Sequence, residues 1–387
     1  MRTIAEPLLY AEASVDLRQR FHERERLAST RTIRWLETMQ ANPRLAALVR
    51  AIRVDEAFAT VSVESVYNRF VEPIGAAALC CTKLERLDCA GAFRLRCYDF
   101  YPYPFPSQAT LRSLDLFALR NADDWAFLHA LPNLTDLGLE IGNCTGGPGE
   151  DEPRPGFRLE NLRLVNDTGQ RPEIGPDTSM FDALLHLSHE SLVSLEMPST
   201  ARLSTQINLE QFPNLGSLSL NGHWSDERAN DEEVDAAIAL LGSCHALDGL
   251  VLTALPRRRA DDAWRTSLPV ILAAVPPLVT TLELSFVPSV ALVDEILGWL
   301  PRTVKLGQLG VDVREFISGY PNEKRCAAEC AVALLAAGDG ATTTACSACA
   351  RWAEEAQLWG PLEEHCAAKG IELIETEEAA ISYPYLC

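Results

Sequence analysis

One pattern constrains this chain more than any other: a triplet, Leu-x-x-Leu-x-Leu, that returns five times in 387 residues. It stands at Leu111-Leu114-Leu116, Leu134-Leu137-Leu139, Leu159-Leu162-Leu164, Leu215-Leu218-Leu220 and Leu247-Leu250-Leu252. With 55 leucines in the chain, random placement yields about one such triplet, so the pattern is a true internal repeat. Looser copies fill the gaps at Leu84-Leu87-Cys89, Leu192-Leu195-Met197, Val279-Leu282-Leu284 and Leu306-Leu309-Val311, with a degenerate first copy at Val49-Ile52-Val54. The copies recur at intervals of 23 to 35 residues.

Strand side chains alternate, so in x-Leu-x-Leu-x the two apolar residues point the same way. Copies stacked side by side then form a parallel sheet with a continuous apolar inner face. Between copies the sequence reads as helix, over 123–131, 178–187, 232–243 and 291–300. In the third of these, Val234, Ile238 and Leu241 share one face. Proline disfavours helix in the residue before it, and Pro132, Pro213, Pro276 and Pro301 stand where each helix must give way to the next strand. This cadence predicts an α/β leucine-rich-repeat solenoid, a horseshoe of about ten strand–helix repeats with the parallel sheet on its concave face.

Three regions follow from this pattern. Residues 1–45 show no strand pattern and hold a helical candidate with Ile33, Leu36 and Met39 at threefold spacing and Pro43 as its stop, a helical N-terminal cap. Residues 46–320 are the solenoid. Residues 321–387 read as a helical C-terminal cap, with helices around 326–337 and 350–369 and a short strand at Ile371–Ile374. Solenoids need such atypical ends to cover their terminal cores. The segments 98–107 and 142–156 are loops rich in proline, or in glycine and proline.

Charge narrows the partners. The chain has 34 Lys and Arg against 54 Asp and Glu, a net charge of −20. Nucleic-acid binding rests on phosphate neutralisation by cations, and anionic membrane surfaces attract the same groups, so neither is an expected partner. No apolar run is long enough for a membrane helix, and no signal-peptide pattern opens the chain, so a cytoplasmic or nuclear protein is expected.

Motif-borne chemistry is not signalled. The sequence contains no P-loop, HExxH, GxSxG or GxGxxG motif. Twelve cysteines invite a zinc reading, above all Cys346 and Cys349 with Cys326 and Cys330. The last two fall one helical turn apart in an alanine-rich helix, so buried, reduced thiols are the expectation. His186 and His189 read as helix-end histidines, and Asp123–Asp124 and Asp261–Asp262 as acids complementing helix N-termini. We therefore expect no catalytic residue, no metal and no cofactor.

The repeats instead define a surface. The residue between the two core positions of each strand points outward, giving the column Arg53, Asp88, Asp115, Gly138, Arg163, Glu196, Ser219, Val251, Glu283, Gly310. A second outward column includes Glu140, Asn221 and Asp312. Exposed strand positions are commonly polar, yet nine of these twenty positions are charged and seven are acids. Candidate partner-binding residues are Asp88, Asp115, Glu140, Arg163, Glu196, Asn221, Glu283 and Asp312. Asp88 and Asp115, on adjacent copies, are expected to form a close, solvent-facing acidic pair, and the ligand to be a protein with basic side chains.

Three segments carry a family resemblance. Ala5-Glu6-Pro7-Leu8-Leu9-Tyr10 is similar to the Ala-x-Pro-Leu-Leu-Tyr segment that follows the F-box in fungal F-box/leucine-rich-repeat proteins. Ile33 to Asp55 resembles that family's helix, Asn-Pro turn and first strand, and Cys366 to Ile374 its closing helix-to-strand element. The resemblance implies a non-catalytic protein-recognition scaffold like the substrate-binding part of a cullin-RING ubiquitin-ligase receptor. In the family an F-box precedes the first segment, whereas only four residues do so here. Either the F-box has been lost or the start codon was placed too late, and a ligase adaptor is a partner only if an F-box is encoded upstream. The alternatives are a leucine-rich-repeat regulator or sensor unrelated to ubiquitination, and an enzyme with its site on the insert loops.

Overall fold

The computed structural model describes residues 10–16, 25–55, 73–89, 106–116, 119–141, 144, 147–149, 153–165, 178–198, 207–222, 230–254, 264–285, 290–303, 305–311 and 360–375. Two compact units divide the chain, one built on Met1–Pro198 with Thr205–Leu215 and Ala379–Cys387, the other on Ser199–Ser204 with Gly216–Glu378.

In the first unit seven strands lie in sequence order: β1 (Glu12–Asp16), β2 (Ala51–Asp55), β3 (Arg86–Cys89), β4 (Ser113–Leu116), β5 (Asp136–Glu140), β6 (Asn161–Val165) and β7 (Ser194–Pro198). Each pairs in parallel with the next. The helices are α1 (Glu25–Ala41), α2 (residues 73–80), α3 (Ala122–His129) and α4 (Thr178–Leu185). In the second unit β8 (Ser217–Gly222), β9 (Gly249–Ala254), β10 (Thr281–Ser285), β11 (Gln308–Val311) and β12 (Glu372–Glu375) are again parallel and in order. Their helices are α5 (Asn230–Ser243), α6 (Trp264–Ala274), α7 (Val290–Trp299) and α8 (residues 360–369). Both units have the α/β solenoid architecture that the repeat predicts.

Strands β2 to β11 each begin two residues after the first apolar position of their copy, from Ala51 after Val49 to Gln308 after Leu306. That leading residue sits buried in the turn, and Leu84, Leu111, Leu134, Leu159 and Leu192 are all inaccessible to solvent. A recurring backbone clamp then sets the register. The carbonyl just before one strand accepts two N–H groups from the next repeat: Arg112 O accepts from Thr135 N at 2.8 Å and from Asp136 N at 2.9 Å. The carbonyls of Glu85, Thr135, Glu160, Gly216 and Asp248 do the same. The first inward leucines of β3 to β7 (Leu87, Leu114, Leu137, Leu162 and Leu195) align residue for residue. All are buried, each such side chain stabilising the fold by about 1.5–3 kcal/mol.

Four details differ from the sequence reading. Strand β1 lies where the pattern shows none, held by pairing with β2 from Glu12↔Ala51 to Asp16↔Asp55. Pro43 ends α1 at Ala41 as expected, but it also opens a new helical turn, Pro43–Ala46, whose cap Asn42 accepts from Leu45 N at 3.3 Å. The inward face of α5 is Val234, Ala237 and Leu241, while Ile238 is half-buried, because the helical period passes closer to position 237. The last strand is Glu372–Glu375, one residue later than expected. The helix expected at 326–337 lies outside the described residues, as do Asp261 and Asp262.

Candidate functional site

The outward column assembles as the spacing predicts. In the first unit Arg53 is registered with Asp88, Asp115 with Gly138, Gly138 with Arg163 and Arg163 with Glu196. In the second unit Ser219, Val251, Glu283 and Gly310 align likewise, and Asn221 pairs with Thr253. Asp312 lies outside the described residues. Glu140, expected to be open to a ligand, is buried, at only 3% exposed.

Register alone does not fix what these side chains touch. Asp115 is buried, and its Oδ1 accepts a hydrogen bond from Arg163 Nη2 at 2.6 Å, an ion pair reaching from β4 to β6 across the intervening strand. Gly138 on β5 makes this possible. A Cβ built there would lie 1.8 Å from Asp115 Oδ1 and 3.3 Å from Arg163 Nη2, so any side chain would occupy the place of the ion pair. Burial disfavours the Arg163 cation, and Asp115, with Glu196 and Asp88 nearby, more than offsets that, raising the guanidinium pKa above its ordinary value.

The expected solvent-facing pair of Asp88 and Asp115 is therefore corrected. Asp115 is withdrawn from solvent and committed to Arg163, whereas Asp88 is half-buried and accepts from Ser113 Oγ at 2.6 Å. An aspartate with a cation over a neighbouring glycine finds a better solution than facing a like charge.

A further column escaped the sequence reading: Glu12, Ala51, Arg86, Ser113, Asp136, Asn161 and Ser194 form one row across β1 to β7. The available signal was the residue directly before the two apolar strand positions of each copy, polar at Arg86, Ser113, Asp136, Asn161 and Ser194. Arg86 pairs with Glu12 at 3.4 Å, and Asn161 Nδ2 donates to Asp136 Oδ1. Between this row and the first lies a depression of about 430 Å3 on the sheet surface, with Gly138 and Leu137 in its lining. Four carboxylates (Asp88, Asp115, Asp136, Glu196) and two guanidiniums (Arg53, Arg163) line it.

A second hollow of about 270 Å3 lies beside α4, lined by His186, His189 and Phe212 among others. The His189 ring stacks on Phe212 with centroids 5.5 Å apart, and His186 Nδ1 lies 2.9 Å from Ala183 O. Among the described residues no group of three or more His, Cys, Asp or Glu could hold a metal ion. Cys81, Cys144 and Cys244 are buried free thiols, pushed up by burial to about 12, 11 and 12. Asp124 closes a capping box on α3, accepting from Asn121 N while Asn121 accepts from Asp124 N. Cys326, Cys330, Cys346 and Cys349 lie outside the described residues.

Strand order, register and the leucine repeat define the class: an α/β leucine-rich-repeat solenoid. No protein-family model matches the chain, and no curated protein matches it. Among solved structures it is similar to the yeast complex of Rad7 and Elc1, at 13% identity and a TM-score of 0.29 over 71% of this chain and 53% of that one. The chain thus spans about half the length of that structure, and so slight a likeness carries no argument about function. No helix among the described residues is long and apolar enough to cross a membrane.

Proposed function

We propose that the chain is a non-catalytic protein-recognition scaffold that reads a protein ligand on the outward sheet face of its first unit. The observation that carries this is the depression across β2 to β7, where polar side chains are held in place by one another and by the strands beneath. Preorganised polar groups on a rigid sheet suit recognition, because little side-chain entropy remains to be lost on binding. The three segments resembling fungal F-box/leucine-rich-repeat proteins support the narrower reading, the substrate-binding part of a cullin-RING ubiquitin-ligase receptor.

The test is affinity capture with mass spectrometry on three forms of the full chain. Asn161→Trp fills the depression from an exposed strand position, and Ala126→Trp adds the same bulk on an exposed position of α3. A set of proteins retained by the wild type and by Ala126→Trp but lost with Asn161→Trp is expected. Retention of that set by Asn161→Trp would overturn the reading.

A further inference from the structure

The depression has a specific electrical character that goes beyond its being a docking face. Asp115 and Arg163 neutralise each other over Gly138. Of the remaining lining charges Asp88, Asp136 and Glu196 are acids and Arg53 alone is a cation, so the cavity carries an excess of two negative charges. The hydrogen-bond donors that fix two of these acids, Ser113 to Asp88 and Asn161 to Asp136, bring no charge of their own. Glu196 and Asp88 both act on the Arg163 cation from its surroundings, which places them at the same site. The hollow, at about 430 Å3, has room for one long side chain and its hydration. Long-range attraction adds to this, because the chain as a whole carries −20.

We propose that this depression receives a lysine or arginine side chain of the protein ligand, its cation held among Asp88, Asp136 and Glu196 while Asp115 stays committed to Arg163. The proposal rests on the reading of this face as the recognition surface and adds the chemistry of what enters it. The buried ion pair serves as the fixed wall of the cavity. Without Arg163 an incoming cation would meet a fourth carboxylate, and without Gly138 the wall could not lie flat across three strands. An anionic or apolar side chain would have to displace hydration from these acids without replacing it.

The experiment uses a fluorescent hexa-arginine peptide, with hexa-glutamate as its counterpart, against the full chain at low and physiological salt. Asp88→Asn with Glu196→Gln removes two charges and keeps hydrogen-bonding groups of nearly the same shape. Glu363→Gln with Glu364→Gln removes two charges from exposed positions of α8. The cavity pair is expected to weaken hexa-arginine binding about five- to tenfold, within the roughly two- to thirtyfold range for two exposed charge pairs, and the α8 pair less than twofold. A benzophenone-bearing hexa-arginine should cross-link to residues of β3 to β7. Equal weakening by the two pairs would reduce the attraction to diffuse charge and overturn the proposal. Equal or tighter binding of hexa-glutamate, or cross-links confined to the second unit, would do the same. Should the cavity pair lower the thermal midpoint, Glu196→Gln alone keeps the comparison, with a twofold or greater loss expected. If Asn161→Trp abolishes partner capture while hexa-arginine binding ignores the cavity acids, the face is a reader but not of cations. The proposal then fails and the scaffold reading stands.

Discussion

Gly138 decides more than any other single residue on the sheet face. Its missing Cβ is the space through which Asp115 reaches Arg163. Gly138→Ala must push the carboxylate aside, and we expect a loss of about 1–3 kcal/mol, the range for a forced steric adjustment in a packed site, read from the urea midpoint of the full chain. Arg163→Leu should act differently. The Arg163 side chain is 42% exposed, so its charge pairing is partly screened, whereas Asp115 stays buried and loses the Arg163 donor. A loss of about 1–3 kcal/mol follows, and Asp115→Asn in the same background should recover part of it. If the double variant is no more stable than Arg163→Leu, burial of the Asp115 charge without Arg163 is not the cost. Reversing the charge of Asp115 would bury a lysine beside Arg163, so that substitution should lower stability as well as binding.

At the level of elements, one pair of loop types occurs twice in a way the leucine spacing does not announce. Ser107-Gln108-Ala109-Thr110-Leu111 and Ser188-His189-Glu190-Ser191-Leu192 share one hydrogen-bonding scheme. Ser188 Oγ accepts from Leu159 N at 2.9 Å and Ser191 Oγ donates to Leu159 O at 2.8 Å. Ser107 accepts from Leu84 N at 3.0 Å and Thr110 donates to Leu84 O at 2.8 Å. Each loop is followed by a Pro-Asn-Leu turn whose asparagine reaches back to it, Asn133 to Ala109 O at 2.8 Å and Asn214 to Glu190 O at 2.7 Å. Both serines are wholly buried. Ser188→Ala leaves the buried Leu159 N–H without its acceptor and should cost about 1–3 kcal/mol, with faster amide exchange at Leu159. Unchanged exchange there would show that another group satisfies this N–H. The Pro-Asn-Leu turns are marked in the sequence by Pro132 and Pro213, but the serine loops find their partners 23 to 32 residues away in the preceding repeat.

For the molecule as a whole, the buried thiols link stability to alkaline pH. Cys81, Cys144 and Cys244 are raised from 9.0 to about 12, 11 and 12, because burial penalises the thiolate. Unfolded, these groups ionise near 9, so their contribution to stability is complete below that pH. It is lost as pH rises from 9 through the folded values, at up to about 1.4 kcal/mol per thiol per pH unit. The urea midpoint should therefore fall between pH 8.5 and 10.5, and by less in Cys81→Ala/Cys244→Ala than in the wild type. At pH 8 iodoacetamide should label these three thiols in the native chain far more slowly than in urea; equal labelling would contradict their burial.

What the sequence determined by itself is the ladder: ten strand positions, their parallel order and the alternation that puts leucine inside and charge outside. These follow from local periodicity and from a backbone clamp that repeats wherever the triplet repeats, so counting residues is enough to place Asp115, Gly138 and Arg163 side by side. Tertiary structure alone decided that Asp115 lies along the sheet face against an arginine 48 residues away, that Glu140 is buried, and that Glu12–Asp16 joins the sheet by pairing with β2. Those outcomes depend on which neighbouring strand lacks a side chain and which edge is left open. A one-dimensional pattern of apolar and polar residues does not encode that competition among neighbours for the same space.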